Sequence, residues 1–277
     1  MTKKEALLLE LLESEDPGLR EIYLANFSVE RPSAPLLEKV VTMARGDHAD
    51  RVRTTAIQTL ARFWPHGSVL QVYTDLLRSA TSDLTATVVK ALADKDDELS
   101  AELLFDTYLA RNDFRIKGAV VLALDRRPFG TVKQFMMAHP LTDADEFLRA
   151  MTVTAISKKS DPDVIPALRE RLKDADARVR ANAAEGLGRF LPLVPGEVFV
   201  ELLQDANHRV QTAALKALFR LGWTGIETHL DQMTRSSVGL FRESAAYFLR
   251  EVRIPGEAPA TFSREMSMPI PIGITVH

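Results

Sequence analysis

The sequence predicts an all-α fold, a solenoid of about eight antiparallel helix pairs followed by a non-helical C-terminal tail. Three observations lead there. Apolar anchors recur every 31 to 33 residues along most of the chain. Each anchor opens a stripe of apolar residues at the spacing of one helix face. Both features stop near Val252, where prolines and glycines take over. A period of that length belongs to small units that cannot bury an apolar face alone and must stack on their neighbours.

The anchors are Leu19, Val52, Leu84, Ile116, Leu148, Val179, Val210 and Phe241, with spacings of 33, 32, 32, 32, 31, 31 and 31. Counting each anchor as position 0, the residues at 0, +4 and +8 are apolar in 23 of 24 cases, against 46% for the whole chain, so composition does not account for the stripe. They stack along one face of the second helix of each pair. Position +7 is mostly small (Ala91, Ala123, Ala155, Gly186, Ala217), which lets neighbouring helices come close. Positions +2, +6 and +10 are expected opposite the stripe. The first helices fall at 3–13, 35–44, 68–79, 98–110, 129–138, 162–172, 196–203 and 225–234. Glu10 and Glu13 interrupt the leucines of the first segment, which therefore reads as an amphipathic helix and not a signal peptide. In domain terms, 1–253 is one repeat array and 254–277 an extended, proline-rich tail.

The stretch "DPDVIPALRERLKDADARVRANAAEGLGRF" (161–190) resembles a HEAT repeat, in the short form of about 30 residues found in the phycobilisome-lyase-like group. The resemblance extends over roughly residues 3–253 and is most specific at 161–222; in the third repeat Leu84 is followed by Thr85 in place of a base. It implies an antiparallel helix pair per repeat, a curved right-handed array with the second helices lining its concave face, and a protein-binding surface. It implies no particular reaction.

Composition narrows the function classes. The 35 basic and 38 acidic residues leave a net charge of -3, so any polyanion site has to be a local patch. The sequence has no cysteine, which excludes disulfides, thiolate zinc sites and cysteine nucleophiles, and which fits a reducing, cytoplasmic setting. No apolar window is long enough for a membrane span.

Acids or amides precede the anchors by three residues (Asp16, Asp113, Asp145, Asp176, Asn207), and bases follow them by one (Arg20, Arg53, Lys117, Arg149, Arg180, Arg242). The acids are expected to cap the second helices and the bases to bridge to neighbouring repeats, so Asp113, Asp145, Asp176, Arg149 and Arg180 form a structural ladder. The acidic run "DKDDELS" (94–100) lacks the glycine and distal glutamate of a calcium loop and reads as the acidic entry to a helix. The six histidines form no HxxxH or HxH pair, and there is no His-Glu dipeptide of the kind the iron-binding HEAT hydroxylases repeat. No phosphate loop or nucleophile motif occurs, so no catalytic, metal or cofactor residue is assigned.

A basic row remains. Position +10 carries Arg62, Arg126, Lys158, Arg189 and Arg220, interrupted by Asp94, with Arg127, Lys159 and Lys216 close in sequence. Cations at helix C-termini also complement the macrodipole, which explains their position without a ligand. Read functionally, Arg126, Lys158, Arg189, Lys216, Arg220 and Tyr247 present a partly basic concave face to another protein with an acidic surface, and the chain is a non-catalytic scaffold or adaptor. Resemblance offers two alternatives: a DNA-processing enzyme of the HEAT-like alkylpurine glycosylase type, acting on nucleic acid, or a bilin-lyase-like subunit. In the tail, Met268, Ile270, Ile272, Ile274 and Val276 alternate with the period of a strand. Pro269 and Pro271 remove donors from one edge only, so the other edge can dock, whether on the last repeat as a cap, on a second copy in self-association, or on a partner; a disordered tail is the alternative that its prolines and terminal position allow.

Overall fold

In the computed structural model the described residues are 2–30 and 32–251, and among them the chain forms sixteen α-helices and no strand. The helices alternate as expected between first and second members of each pair. The pairs are α1 (Lys3–Leu11) with α2 (Pro17–Ala25), α3 (Ala34–Gly46) with α4 (Asp50–Phe63), α5 (His66–Ser79) with α6 (Ser82–Ala93), and α7 (Glu98–Ala110) with α8 (Phe114–Asp125). Next, α9 (Phe129–Ala138) and α10 (Glu146–Ser157) follow in sequence, and then the pairs α11 (Ile165–Arg171) with α12 (Ala177–Leu187), α13 (Glu197–Leu202) with α14 (His208–Arg220), and α15 (Ile226–Thr234) with α16 (Gly239–Glu251). Three short 3-10 turns, Pro140–Thr142, Pro162–Val164 and Gly188–Phe190, extend helix ends. The strand-like tail positions Met268, Ile270, Ile272, Ile274 and Val276 lie outside the described residues.

The chain divides into two compact units, Met1–Leu148 and the part from Arg149 onward, with the boundary inside α10. Within the first unit α2, α4, α6 and α8 pack on one another in succession, as do α1, α3, α5, α7 and α9; within the second unit α12 packs on α14 and α14 on α16. The anchors Val52, Leu84, Ile116, Leu148, Val179 and Val210 are buried, whereas Leu19 is 41% exposed, its pair having a neighbour on one side among the described residues.

One expectation is corrected. Position +2 does not lie on the open side: Gly118, Ala150, Ala181 and Thr212 are buried. A second helix such as α14 is flanked by both α12 and α16, so its covered surface is wider than a single stripe. The open face narrows to positions such as +6 and +10.

Local chemistry fixes where each second helix begins. The side chains of Asp16, Asp113, Asp145, Asp176 and Asn207 accept hydrogen bonds from the backbone N–H groups of Gly18 (2.7 Å), Arg115 (2.9 Å), Phe147 (2.8 Å), Arg178 (2.9 Å) and Arg209 (2.9 Å). Each satisfies one of the orphan donors of a helix N-terminus. At the far end of α14, Gly222 takes φ +66°. Its N–H donates to the Phe219 carbonyl at 3.0 Å and that of Trp223 to Leu218 at 3.0 Å, the pattern that closes a helix on a left-handed glycine.

Four of the six bases at +1 bridge repeats through a partner that the sequence reading left unassigned, an aspartate five residues before the next anchor, whereas Arg53 bonds to Asp50 and the Ala44 carbonyl and Arg242 to the Ser236 carbonyl, within their own repeats. Arg20 is bidentate to Asp47 (2.8 and 2.7 Å), Lys117 donates to Asp143 (2.8 Å), Arg149 is bidentate to Asp174 (2.8 and 2.7 Å), and Arg180 to Asp205 (2.7 and 3.0 Å). Each of these aspartates also accepts from the backbone N–H two residues on, at Ala49, Asp145, Asp176 and Asn207. Burial is the largest single influence and pushes the four carboxyls up, but the bonds from their cationic partners, the backbone N–H bonds and the attraction of the nearby cations together outweigh it, so each titrates below the ordinary carboxylate value. Asp143 accepts a further bond from the Tyr108 hydroxyl at 2.6 Å.

At the third repeat the rung is reversed. Thr85 stands at +1, and the residue five before the next anchor is Arg111, which donates to the Thr85 hydroxyl at 3.4 Å and to the carbonyls of Leu77 and Ala80. The cation has moved to the other side of the junction.

Candidate protein-binding face

The structure places the six expected contact residues in two groups. Arg126 belongs to the first unit; Lys158, Arg189, Lys216, Arg220 and Tyr247 belong to the second. Arg126, at the end of α8, is ion-paired with Asp94 at the equivalent position of α6, and both side chains are more than half exposed. Their charges largely cancel on that part of the surface.

In the second unit Lys158 and Arg189 are exposed, at the C-terminal ends of α10 and α12. Arg220 is also exposed, and its guanidinium donates to the Gly188 carbonyl at 2.8 Å. Lys216 lies over the ring of Tyr247, 4.3 Å from the centroid, and the Arg250 guanidinium approaches the same ring at 5.7 Å. These contacts join α14 to α16 and hold a half-exposed aromatic ring between two cations.

The bond from Arg220 belongs to a series. Lys95 donates to the Ala61 carbonyl (3.2 Å) and Arg127 to Leu92 (2.9 Å), each reaching back to the end of the preceding second helix. A cation there meets an orphan carbonyl and the negative end of the helix dipole together. Arg127, placed near the basic row by its sequence position, is 4% exposed and serves this internal role.

A second row of arginines, at position -1, was not singled out in the sequence. Arg51, Arg115, Arg178 and Arg209 are exposed at the starts of α4, α8, α12 and α14. Arg51 pairs with Glu21 at 3.4 Å and Arg178 with Asp176 at 3.1 Å. Their regular spacing was the available signal. On α12 and α14 the rows at -1 and +10 are three turns apart, about 16 Å at the rise of an α-helix.

The structure also brings His66 to Asp97 and Ser100, which lie three residues apart at the start of α7. The Ser100 hydroxyl donates to Asp97 at 2.7 Å and sits 2.7 Å from His66 Nε2, which therefore donates to it. A nucleophilic relay needs the base between the hydroxyl and the acid. Here the hydroxyl is in the middle, fully buried, and His66 Nδ1 has no partner. The cluster ties α5 to α7 and offers no place for a substrate. Burial lowers the His66 pKa, opposed by Asp97 and reinforced by Lys95 and Arg127.

An open groove of about 420 Å³ lies beside α1 and α3, lined by Glu13, Arg20, Lys39 and Asp47 among others. Four of its charged groups are paired, Arg20 with Asp47 and Lys39 with Glu13. Among the described residues no cluster of histidine and carboxylate side chains suits a metal, and no helix is long and apolar enough to cross a membrane.

Comparison with known proteins agrees with this geometry. The family described as HEAT repeats matches residues 137–218, around the stretch whose resemblance is most specific. Among solved structures the chain is similar to Kap121p bound to RanGTP (14% identity, TM-score 0.52, 90% of this chain and 37% of that one). It is similar as well to Kap121p alone (14% identity, TM-score 0.51, 89% and 37%). The chain thus spans little more than a third of the length of these proteins, and at that identity the likeness is one of fold. No curated protein matches the chain in sequence.

Proposed function

The chain is a member of the HEAT-repeat superfamily, and from that premise we propose that it is a non-catalytic scaffold or adaptor that binds a protein partner on the open faces of its second helices. The contact residues are Lys158, Arg189, Lys216, Arg220 and Tyr247 in the second unit and Arg126 in the first. The partner presents an acidic surface, and the absence of cysteine fits a cytoplasmic place of action.

One observation carries this reading. Lys158, Arg189 and Arg220 stay exposed at the equivalent repeat position +10 of the second unit, while the ladder acids Asp174 and Asp205, at the opposite ends of the second helices, are engaged by Arg149 and Arg180. The ladder acids are used internally, and the exposed face at the helix ends carries these three cations with Glu185 one turn before Arg189. Such a face attracts an acidic protein by steering and complementary charge. The similar Kap121p was crystallised with RanGTP, so a fold of this kind is compatible with holding another protein.

The test is affinity capture with the intact chain and with a form carrying Arg126→Glu, Lys158→Glu, Arg189→Glu and Arg220→Glu, with circular dichroism to show that both are folded. Loss of a specific protein from the charge-reversed form is the expected result. An unchanged set of captured proteins sinks the reading. Salt-dependent binding of duplex DNA by the intact chain, lost on charge reversal, would put a nucleic acid in the partner's place.

A further inference from the structure

The second unit carries an apolar feature that the charge argument does not use. Trp223 is 37% exposed and Leu193 is 63% exposed. They come from consecutive repeats: Leu193 from the loop after α12, Trp223 from the turn after α14. The two loops meet, because the six-membered edge of the Trp223 ring lies over Gly196, so close that a Cβ there would sit 2.6 Å from two of its carbons and 3.5 Å from Leu221. Gly196 is therefore a seat for the indole. The ring is fixed from one side by backbone and open on the other, and the left-handed turn at Gly222 sets its direction.

Two exposed arginines lie close to these residues in sequence, with the exposed Glu197 adjoining Gly196. Arg189 is four residues before Leu193 and exposed; Arg220 is three residues before Trp223 and is tied by its guanidinium to the Gly188 carbonyl, next to Arg189. An apolar anchor site edged by cations selects one kind of occupant by charge complementarity. We propose that the ends of α12 and α14 form a docking site for a short acidic segment of a partner protein that inserts one large aliphatic or aromatic residue against Trp223 and Leu193, with its carboxylates facing Arg189 and Arg220. The site rests on the protein-binding reading given above and names what that partner brings to it. A rigid, pre-seated tryptophan is the sort of group that dominates an interface, since it offers a large contact area with little conformational freedom left to lose.

The experiment is selection of a randomised short-peptide library displayed on phage against the full chain, followed by titration of the enriched peptides against Trp223→Ser, Leu193→Ser and Arg189→Glu variants. Thermal melts check that each variant is folded, and Leu193→Ser serves where loss of the indole from Gly196 disturbs the loop. Enriched peptides should combine acidic residues with one large apolar residue. Their affinity should fall by about tenfold or more with Trp223→Ser and with Leu193→Ser, and should weaken with Arg189→Glu in a salt-dependent way. Acidic peptides that need Arg189 and ignore both Trp223→Ser and Leu193→Ser would overturn this inference and leave the basic-face reading standing. If no enriched peptide responds to any of the three changes, both fail at this surface.

Discussion

Replacing Gly186 by alanine sets two effects of known sign against each other. Gly186 lies inside α12 at position +7, where a Cβ would be 2.7 Å from Ser157 Cβ and 3.4 Å from a methyl of Leu168. Alanine in a helix interior is favoured over glycine by about 1 kcal/mol. Carbon atoms in good contact lie about 3.5 Å apart, however, so the added methyl is about 0.8 Å too close to an atom that is itself fixed to a helix backbone. Relief requires α12 and the end of α10 to move apart, and forcing extra volume into a packed contact costs about 1–3 kcal/mol. We expect Gly186→Ala to destabilise by up to about 2 kcal/mol net, read as a lower urea midpoint at constant slope. Gly130→Ala is the control: it is in α9 with nothing near its Cβ, and it should be neutral or stabilising. In a Ser157→Gly background the clash disappears and Gly186→Ala should become favourable, a coupling of about 2 kcal/mol in the double-mutant cycle. If Gly186→Ala alone stabilises as Gly130→Ala does, the close approach of these helices is not what the glycine is for.

Arg180→Met removes a bidentate rung and leaves Asp205 and the carbonyls of Asp174 and Ala175 without their donor; a loss of roughly 1–3 kcal/mol in denaturant unfolding is expected, discounted for the partial exposure of the pair. The aspartates of the ladder titrate below their ordinary value of 3.8. Their stabilisation is complete above that pH and is lost as the pH falls through the lower folded values, so acid unfolding should begin below 3.8. His66 behaves in the same sense at milder pH. Its folded pKa is below 6.5, so the unfolded chain takes up protons first. The urea midpoint should drop between about pH 7 and pH 5, and His66→Gln should flatten that slope; an equal slope in the variant would remove His66 from the account. Ser160 is exposed and holds φ 51°, so Ser160→Gly should raise the thermal midpoint, by under about 1 kcal/mol of stability once the added chain entropy is subtracted.

The helix pairs were legible because their signal is redundant. Position 0, +4 and +8 repeat the same physical demand eight times, and a single miss such as Thr152, which is buried all the same, does not break the pattern. The caps were legible for the same reason, since Asp, Asn and a helix start form a local rule. The ladder was half legible: Arg149 and Arg180 announced a bridge, but Asp174 and Asp205 sit in loops where aspartate is unremarkable, and only their recurrence five residues before an anchor marks them. Burial of Gly118 and Ala181 was missed because one helix's sequence does not say how many neighbours flank it. The pairing of Arg126 with Asp94 was missed for a related reason, as two positions 32 residues apart become adjacent only when repeats stack. The site formed by Trp223 and Gly196 needs two loops to meet, and nothing in either loop names the other.

The reversed rung at Thr85 and Arg111 bears on how such a chain can be rearranged. At the junctions of Arg149 with Asp174 and of Arg180 with Asp205, the base always belongs to the earlier repeat and the acid to the later one, so repeats sharing that polarity can be duplicated or exchanged with every charge still matched. A repeat cut at the third junction cannot be moved in this way. Placed after Arg149 or Arg180, the loop that carries Arg111 would set guanidinium against guanidinium; the loop that carries Asp174, placed after Thr85, would leave a carboxylate facing a hydroxyl. The interchangeable module is therefore the junction together with both its neighbours, and the Thr85–Arg111 pair fixes the order of the repeats on either side of it.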